Sequence, residues 1–87
     1  MKWQVFFDPA AEKQFSKLGR PAQQDIEKYI AKHLESKEDP RRFGKPYLSI
    51  KSAWRYRIGD YRMVCLIQEQ RLVVLVLKVG HRRSIYD

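Results

Sequence analysis

The sequence has 87 residues, in which 18 Lys and Arg outnumber 10 Asp and Glu, giving a formal net charge of +8 and a pI of about 9.9. This length predicts one domain, spanning residues 1–87. With 44% hydrophobic residues, the chain is too apolar for a disordered basic tail. Its single cysteine, Cys65, excludes an internal disulfide and a zinc finger built from cysteines.

No apolar run approaches the length of about 18 residues that a membrane-spanning helix needs. The first residues show the alternation of a strand and lack the apolar segment of a signal peptide. We therefore expect a cytoplasmic protein with no membrane partner.

The positive charge is confined to the second part of the chain. Residues 1–40 contain 7 basic and 7 acidic residues, whereas residues 41–87 contain 11 basic and only 3 acidic residues. A scattered surplus would indicate a solvated surface, but a surplus in one segment favours a polyanion or an acidic protein as partner.

The first part of the chain predicts a strand followed by a helical hairpin. Residues 2–7 alternate as a strand, with Trp3, Val5 and Phe7 on one face. Asp8 and Pro9 then form a helix start, and Gly19 is the expected stop. Pro21 opens a second helix. The apolar stripes of the two helices consist of Ala11, Phe15 and Leu18 in the first, and of Ala22, Ile26, Ile30 and Leu34 in the second.

The second part predicts a loop and three strands. Residues 36–46 are polar and rich in proline and predict a loop. Period-two patterns predict strands over residues 53–58, 61–68 and 72–79, and residues 80–87 leave the sheet. Because the last strand is apolar on both faces, we expect it to be central and covered. The order is β-α-α-β-β-β, an α+β protein.

Strand alternation predicts a cluster of arginines on one face of the sheet. Arg55 and Arg57 lie on the face opposite Trp54, Tyr56 and Ile58, and the helical hairpin is expected to cover the latter. Arg62 can join these arginines across a short hairpin, and Arg82 and Arg83 join them if the last strand returns beside the third. His81 and Tyr86 complete the set, with Lys51 as a further phosphate contact.

Guanidinium groups bind phosphate through two parallel hydrogen bonds and stay charged at physiological pH. The sequence contains no evident carboxylate pair, glycine-rich phosphate loop or metal-ligand cluster, so we expect no metal and no cofactor. Metal-free cleavage of RNA by its own 2′-OH needs only positioning, charge stabilisation and proton transfer. Among the remaining candidates, His33 is expected to be solvated and Cys65 to be a small hydrophobic residue.

The second part of the chain resembles toxins of the RelE/ParE superfamily from bacterial toxin–antitoxin systems. The resemblance rests on residues 54–62 (WRYRIGDYR), residues 79–83 (VGHRR) and Tyr86, with residues 39–46 (DPRRFGKP) before them. It implies a RelE-like fold in which two helices pack on a small, curved antiparallel sheet.

RelE-type toxins cleave mRNA in the ribosomal A site without a metal, so the resemblance implies the same for this chain. The residues that match the RelE catalytic set are Arg55, Arg57, Arg62, Arg82 and Tyr86. RelE has lysines where Arg55 and Arg57 stand, and arginine is a poor proton acceptor. The general base is therefore either Tyr86 or His81.

Other members of the superfamily suggest alternatives. ParE-type toxins share the fold but poison DNA gyrase and cut no RNA, and an inactive nucleic-acid-binding module is a third reading. As partners, the resemblance implies a cognate RelB-like antitoxin with an acidic binding segment, the ribosome with mRNA in its A site, and operator DNA through the antitoxin complex.

Overall fold

The computed structural model describes residues 1–85, in which two helices pack on one face of a five-stranded sheet. The strands are β1 Gln4–Phe7, β2 Lys45–Pro46, β3 Ala53–Ile58, β4 Tyr61–Gln68 and β5 Val73–His81. The helices are α1 Pro9–Ser16 and α2 Arg20–Tyr29, and the short helical turns are Ile30–Leu34, Pro40–Phe43 and Glu69–Arg71. The predicted α+β class is confirmed. Within the described range, no helix is long and apolar enough to cross a bilayer.

The sheet has the strand order β1-β5-β4-β3-β2 and is mixed rather than wholly antiparallel. β3, β4 and β5 form antiparallel hairpins, whereas β1 runs parallel to β5. Alternation along a strand shows which face a side chain occupies, but it contains no information on the direction of the neighbouring strand. The parallel pair is therefore a feature of the tertiary structure that the sequence pattern did not predict.

Both helices begin and pack as the sequence predicted. The Asp8 carboxylate accepts a hydrogen bond from the Ala10 N–H at 3.2 Å, which caps α1. The chain continues from α2 into one wide π-helical turn, Ile30–Leu34, that the sequence did not predict. All four residues of the second apolar stripe are buried: Ala22, Ile26, Ile30 and Leu34.

The predicted loop over residues 36–46 contains two short regular elements. The Asp39 carboxylate accepts a hydrogen bond from the Arg41 N–H at 3.0 Å and caps the 3₁₀ turn Pro40–Phe43. Lys45–Pro46 then pairs with Arg55 and Trp54 of β3 as the edge strand β2. Two residues with a proline are too few to show a period of two, so the sequence pattern missed this strand.

The core lies between the helices and one face of the sheet. It includes Trp3, Ile26, Leu34, Tyr56, Met63, Cys65, Val74 and Val76. β5 is an interior strand, as predicted, but the helices cover only one of its faces: Val74, Val76 and Val79 are buried, whereas Leu75 and Leu77 are half-buried. The other face of the sheet, called the open face below, carries the candidate site.

Candidate functional site

Strand alternation in β3 separates its arginines from the core. Tyr56 is 1% exposed and packs under the helices, whereas Arg55 and Arg57 on either side of it are exposed on the open face. The register places Arg57 opposite Arg62 of β4 and Arg55 opposite Lys45 of β2. Cations from three adjacent strands therefore share one surface, because partners in register point to the same face of a sheet.

These side chains line a cleft of about 530 Å³ between β3 and the segment that precedes it. We call it the basic cleft, and its lining residues are Arg42, Phe43, Gly44, Lys45, Arg55, Tyr56, Arg57 and Arg62. Of these eight residues, all in the described part of the chain, five are cationic and none is acidic. A concave surface with one sign of charge focuses its electric field and attracts an anion.

Residues 42–45 form the wall of the basic cleft and are fastened to β3 and α2. A Cβ on Gly44 would lie 2.8 Å from the carbonyl oxygen of Arg55 and 2.8 Å from the Tyr56 ring, so this close approach requires glycine. The Tyr56 hydroxyl donates to the carbonyl oxygen of Pro40 at 2.9 Å, and the Tyr29 hydroxyl donates to that of Phe43 at 3.2 Å. Burial raises the pKa of both phenols, which keeps them protonated as donors.

Arg41, adjacent to the wall, is engaged in ion pairs instead of lining the cleft. Its guanidinium contacts the Asp39 carboxylate at 2.8 Å and also pairs with Glu69 in the turn between β4 and β5. Hydrogen bonds from Arg41 lower the pKa of Asp39, and bonds to Asp39 and Glu69 raise the pKa of Arg41. Through Glu69, this cluster connects the 3₁₀ turn Pro40–Phe43 with the turn between β4 and β5.

Arg62 lies at one end of the basic cleft, where its side chain folds over the turn between β3 and β4. Its guanidinium donates to the carbonyl oxygens of Gly59 at 2.8 Å and Tyr61 at 2.9 Å. Gly59 has a φ of 59°, the left-handed conformation that glycine tolerates best and that this tight turn requires. The turn therefore orients the Arg62 side chain. Because both acceptors are neutral carbonyl groups, they do not neutralise the positive charge of Arg62.

The structure places the remaining basic candidates outside the basic cleft. The backbone N–H of Arg82 donates to the carbonyl oxygen of Asp60 at 2.8 Å, and the Arg82 side chain lies 3.8 Å from the Asp60 carboxylate. Arg83 is exposed in the turn after β5. Lys51 is exposed in the turn before β3, at the opposite end of that strand from Arg57.

His81 does not share the open face with the arginines, contrary to the prediction. β5 extends to residue 81 instead of ending at 79, so alternation puts His81 on the same face as the buried Val79. Its ring packs edge-on against Tyr61 with centroids 5.6 Å apart, and its Nδ1 accepts the Arg83 N–H at 3.2 Å. The neutral ring therefore has its proton on Nε2. Tyr86, the other proton-transfer candidate, lies outside the described residues.

Sequence reasoning missed two cations of the basic cleft, Arg42 and Lys45, because they lie in the predicted loop. The three cations within residues 41–45 were a signal for a basic surface. However, a loop has no periodic pattern from which the face occupied by each side chain could be predicted. His33 was predicted to be solvated and is instead half-buried between the rings of Tyr29 and Phe43, at centroid distances of 4.7 and 4.6 Å.

Two further observations concern metal and thiol chemistry. Over residues 1–85, no three His, Cys, Asp or Glu side chains come together as a potential metal site. Cys65 is fully buried in the core, and burial raises the pKa of its thiol. Its predicted role as a small hydrophobic residue is confirmed by this packing.

Comparison with known proteins identifies the family. The model of the ParE toxin of type II toxin–antitoxin systems, parDE, matches residues 5–86. The chain belongs to this toxin family, within the RelE/ParE superfamily. A search among curated proteins gave no match.

Solved structures similar to this toxin come from toxin–antitoxin complexes and from an isolated toxin. A chain of the RelBE2 complex from Mycobacterium tuberculosis is 25% identical with a TM-score of 0.82, covering 94% of this toxin and 100% of that chain. A chain of the intact RelBE complex of E. coli is 25% identical with a TM-score of 0.77, and the match covers 91% of this toxin and 95% of that chain. The isolated E. coli RelE toxin is 25% identical with a TM-score of 0.74, and the match covers 91% of this toxin and 83% of that chain. The predicted RelE-like fold is confirmed.

Proposed function

We propose that this toxin is a metal-independent endoribonuclease that cleaves mRNA in the ribosomal A site, in the cytoplasm, and so inhibits translation. The observation that carries the proposal is the basic cleft, which Arg55, Arg57 and Arg62 line together and in which no lining residue among residues 1–85 is acidic. Such a cleft suits a phosphodiester, whose charge rises as the bond is attacked.

The reaction needs little covalent chemistry from the protein. The ribose 2′-OH loses its proton and its oxygen attacks the adjacent phosphorus, while the bond from phosphorus to the 5′ oxygen breaks and that oxygen takes up a proton. Arg55, Arg57 and Arg62 bind the non-bridging oxygens and stabilise the charge that develops on them. Arg82, held beside the turn at Asp60, contributes a further cation at this end of the sheet.

We assign the proton transfer to Tyr86 in preference to His81. The position of His81 on the helix-side face supports this choice, as does the hydrogen bond that its Nδ1 accepts from Arg83. His81 then orders the turn after β5 through the hydrogen bond that it accepts from the Arg83 N–H. An mRNA-cleavage assay that compares Tyr86→Phe with His81→Asn tests the assignment: the first variant should lose far more activity.

The partners of this proposal are an antitoxin and the ribosome. The similar structures named as RelBE complexes support a cognate, RelB-like antitoxin. We propose that its toxin-binding segment is acidic, since the second part of this chain carries the whole charge surplus. Operator DNA would be bound only through the toxin–antitoxin complex.

The decisive test of the proposed activity is the double variant Arg62→Ala and Arg82→Ala. Removing preorganised charge stabilisers of this kind costs about 10²-fold or more in rate, so induction of the variant should leave growth and mRNA intact. The control is Arg71→Ala, an exposed arginine outside the basic cleft, which should remain toxic. Full toxicity of the correctly folded double variant would refute the proposal.

The second candidate function is a DNA gyrase poison without ribonuclease activity, and the match to the ParE toxin model favours it. Induction of the unmodified toxin in cells separates the two candidates. Rapid cleavage of mRNA at codon boundaries supports the endoribonuclease, whereas DNA damage with intact mRNA supports the gyrase poison.

A further inference from the structure

The wall of the basic cleft presents two cations that have no part in the phosphate site proposed above. Arg42 and Lys45 are both exposed and both line the cleft. Lys45 is the register partner of Arg55, so their side chains start about 5 Å apart on the same face of adjacent strands. The cations of the wall therefore extend the positive surface of Arg55, Arg57 and Arg62 toward β2.

This wall is anchored to the rest of the fold before any ligand arrives. Gly44 packs directly on β3, and two buried or half-buried tyrosine hydroxyls hold the carbonyl groups of Pro40 and Phe43. The ion pair of Arg41 with Glu69 adds a contact from the same segment to the turn between β4 and β5. A backbone anchored at so many points loses little conformational entropy when its side chains bind an anion, which favours affinity.

Arg42 is itself oriented on this wall. Its guanidinium carbon lies 5.8 Å from the centroid of the Phe43 ring, and its Nη1 contacts the Glu38 carboxylate at 2.9 Å. Both partners of that ion pair are more than half exposed, at 62% and 53% of their side chains. Exposed pairs are weak, so a phosphate of a bound RNA can displace Glu38 from Arg42.

We propose that Arg42 and Lys45 form a second phosphate subsite, so that the basic cleft binds two consecutive phosphates of a single-stranded RNA. The first subsite consists of Arg55, Arg57 and Arg62, and the inference rests on the proposed function of that subsite. Glu38 competes with RNA for Arg42. A groove lined with cations that follows a flexible backbone is the usual way in which proteins bind single strands.

The salt dependence of RNA binding tests this inference. The probe is a short fluorescent RNA whose 2′-O-methyl riboses prevent cleavage, and its dissociation constant is measured by anisotropy over a range of salt concentrations. Each phosphate contact to a single strand contributes about 0.7 to the slope of log K against log salt. Arg42→Ala and Lys45→Ala should each weaken binding and reduce the slope, by up to about 0.7 if each removes one contact.

Glu38→Gln should have the opposite effect and strengthen binding, because it releases Arg42. Two matched controls, Arg71→Ala and Lys17→Ala, remove exposed cations away from the basic cleft and should leave the slope unchanged apart from a small shift in overall charge. Circular dichroism checks that each variant is folded.

The same experiment separates failure of the inference from failure of the proposed function. If Arg57→Ala lowers the slope while Arg42→Ala and Lys45→Ala behave like the controls, the second subsite is refuted and the first stands. If Arg57→Ala is also without effect, the cleft is no RNA site. A poly-glutamate peptide that binds the wild type as tightly as RNA does, and loses affinity in the same variants, would assign the wall to an acidic protein instead.

Discussion

The two faces of the sheet differ in almost every physical respect, although the same strands supply both. The helix-side face contains a continuous apolar core with Ile26, Leu34 and Met63 fully buried. The open face carries the basic cleft, in which Arg55 and Arg57 alternate with core residues of a single strand. Stability and recognition are therefore separated by the period of two in β3, so substitutions on the two faces should have different consequences.

The largest expected effect on stability is on the helix-side face. Leu34→Ala removes a side chain that is 0% exposed and should lower the free energy of unfolding by about 2–5 kcal/mol. Arg57→Ala on the open face should change it by less than about 0.5 kcal/mol. Chemical denaturation measures the free energy of unfolding of both variants. Ile26→Val is a milder core variant, which should lower this free energy by about 0.5–1.5 kcal/mol. Equal losses for Leu34→Ala and Arg57→Ala would show that the faces are not separate.

Tyr56 connects the two faces, so its variant sharpens the comparison. Tyr56→Phe keeps the ring in the core but leaves the buried carbonyl group of Pro40 without its donor, which should cost about 1–3 kcal/mol. The wall of the basic cleft should also loosen, and binding of RNA should weaken. Denaturation and anisotropy measured on the same sample check both effects. A variant that loses stability but binds RNA normally would mean that this hydrogen bond does not position the wall.

The smallest expected effect concerns Cys65 in the core. Burial raises the pKa of its thiol above the ordinary value of 9.0, so above about pH 9 the unfolded chain loses a proton that the folded chain keeps. The free energy of unfolding should then decrease with rising pH, by up to about 1.4 kcal/mol per pH unit.

Cys65→Val should remove this contribution, and the difference is measured by denaturation between pH 9 and 10, below the ordinary pKa of 10.0 for Tyr56. If the pH dependence of Cys65→Val equals that of the wild type in this range, the thiol is not the group responsible.

The sequence was sufficient for the features that depend on one element at a time. The stripes of the two helices, the capping by Asp8 and the alternation of Arg55 and Arg57 about Tyr56 were all predicted and are confirmed. His81 was predicted to join the arginines because the last strand was expected to end at residue 79. β5 instead continues to His81, and alternation puts its side chain on the face of Val79, opposite the arginines.

What only the tertiary structure decided is the meeting of residues that are far apart in the sequence. Lys45 pairs with Arg55, β1 runs parallel to β5, and the Tyr56 hydroxyl reaches Pro40. A hydrophobic period specifies which face a side chain occupies, because it reflects burial along one strand or helix. It does not specify the neighbour on that face, which depends on how the chain packs as a whole. The positive charge of +8 therefore predicted a polyanion as partner, and the packing of residues 42–45 against β3 shaped the cleft that would receive it.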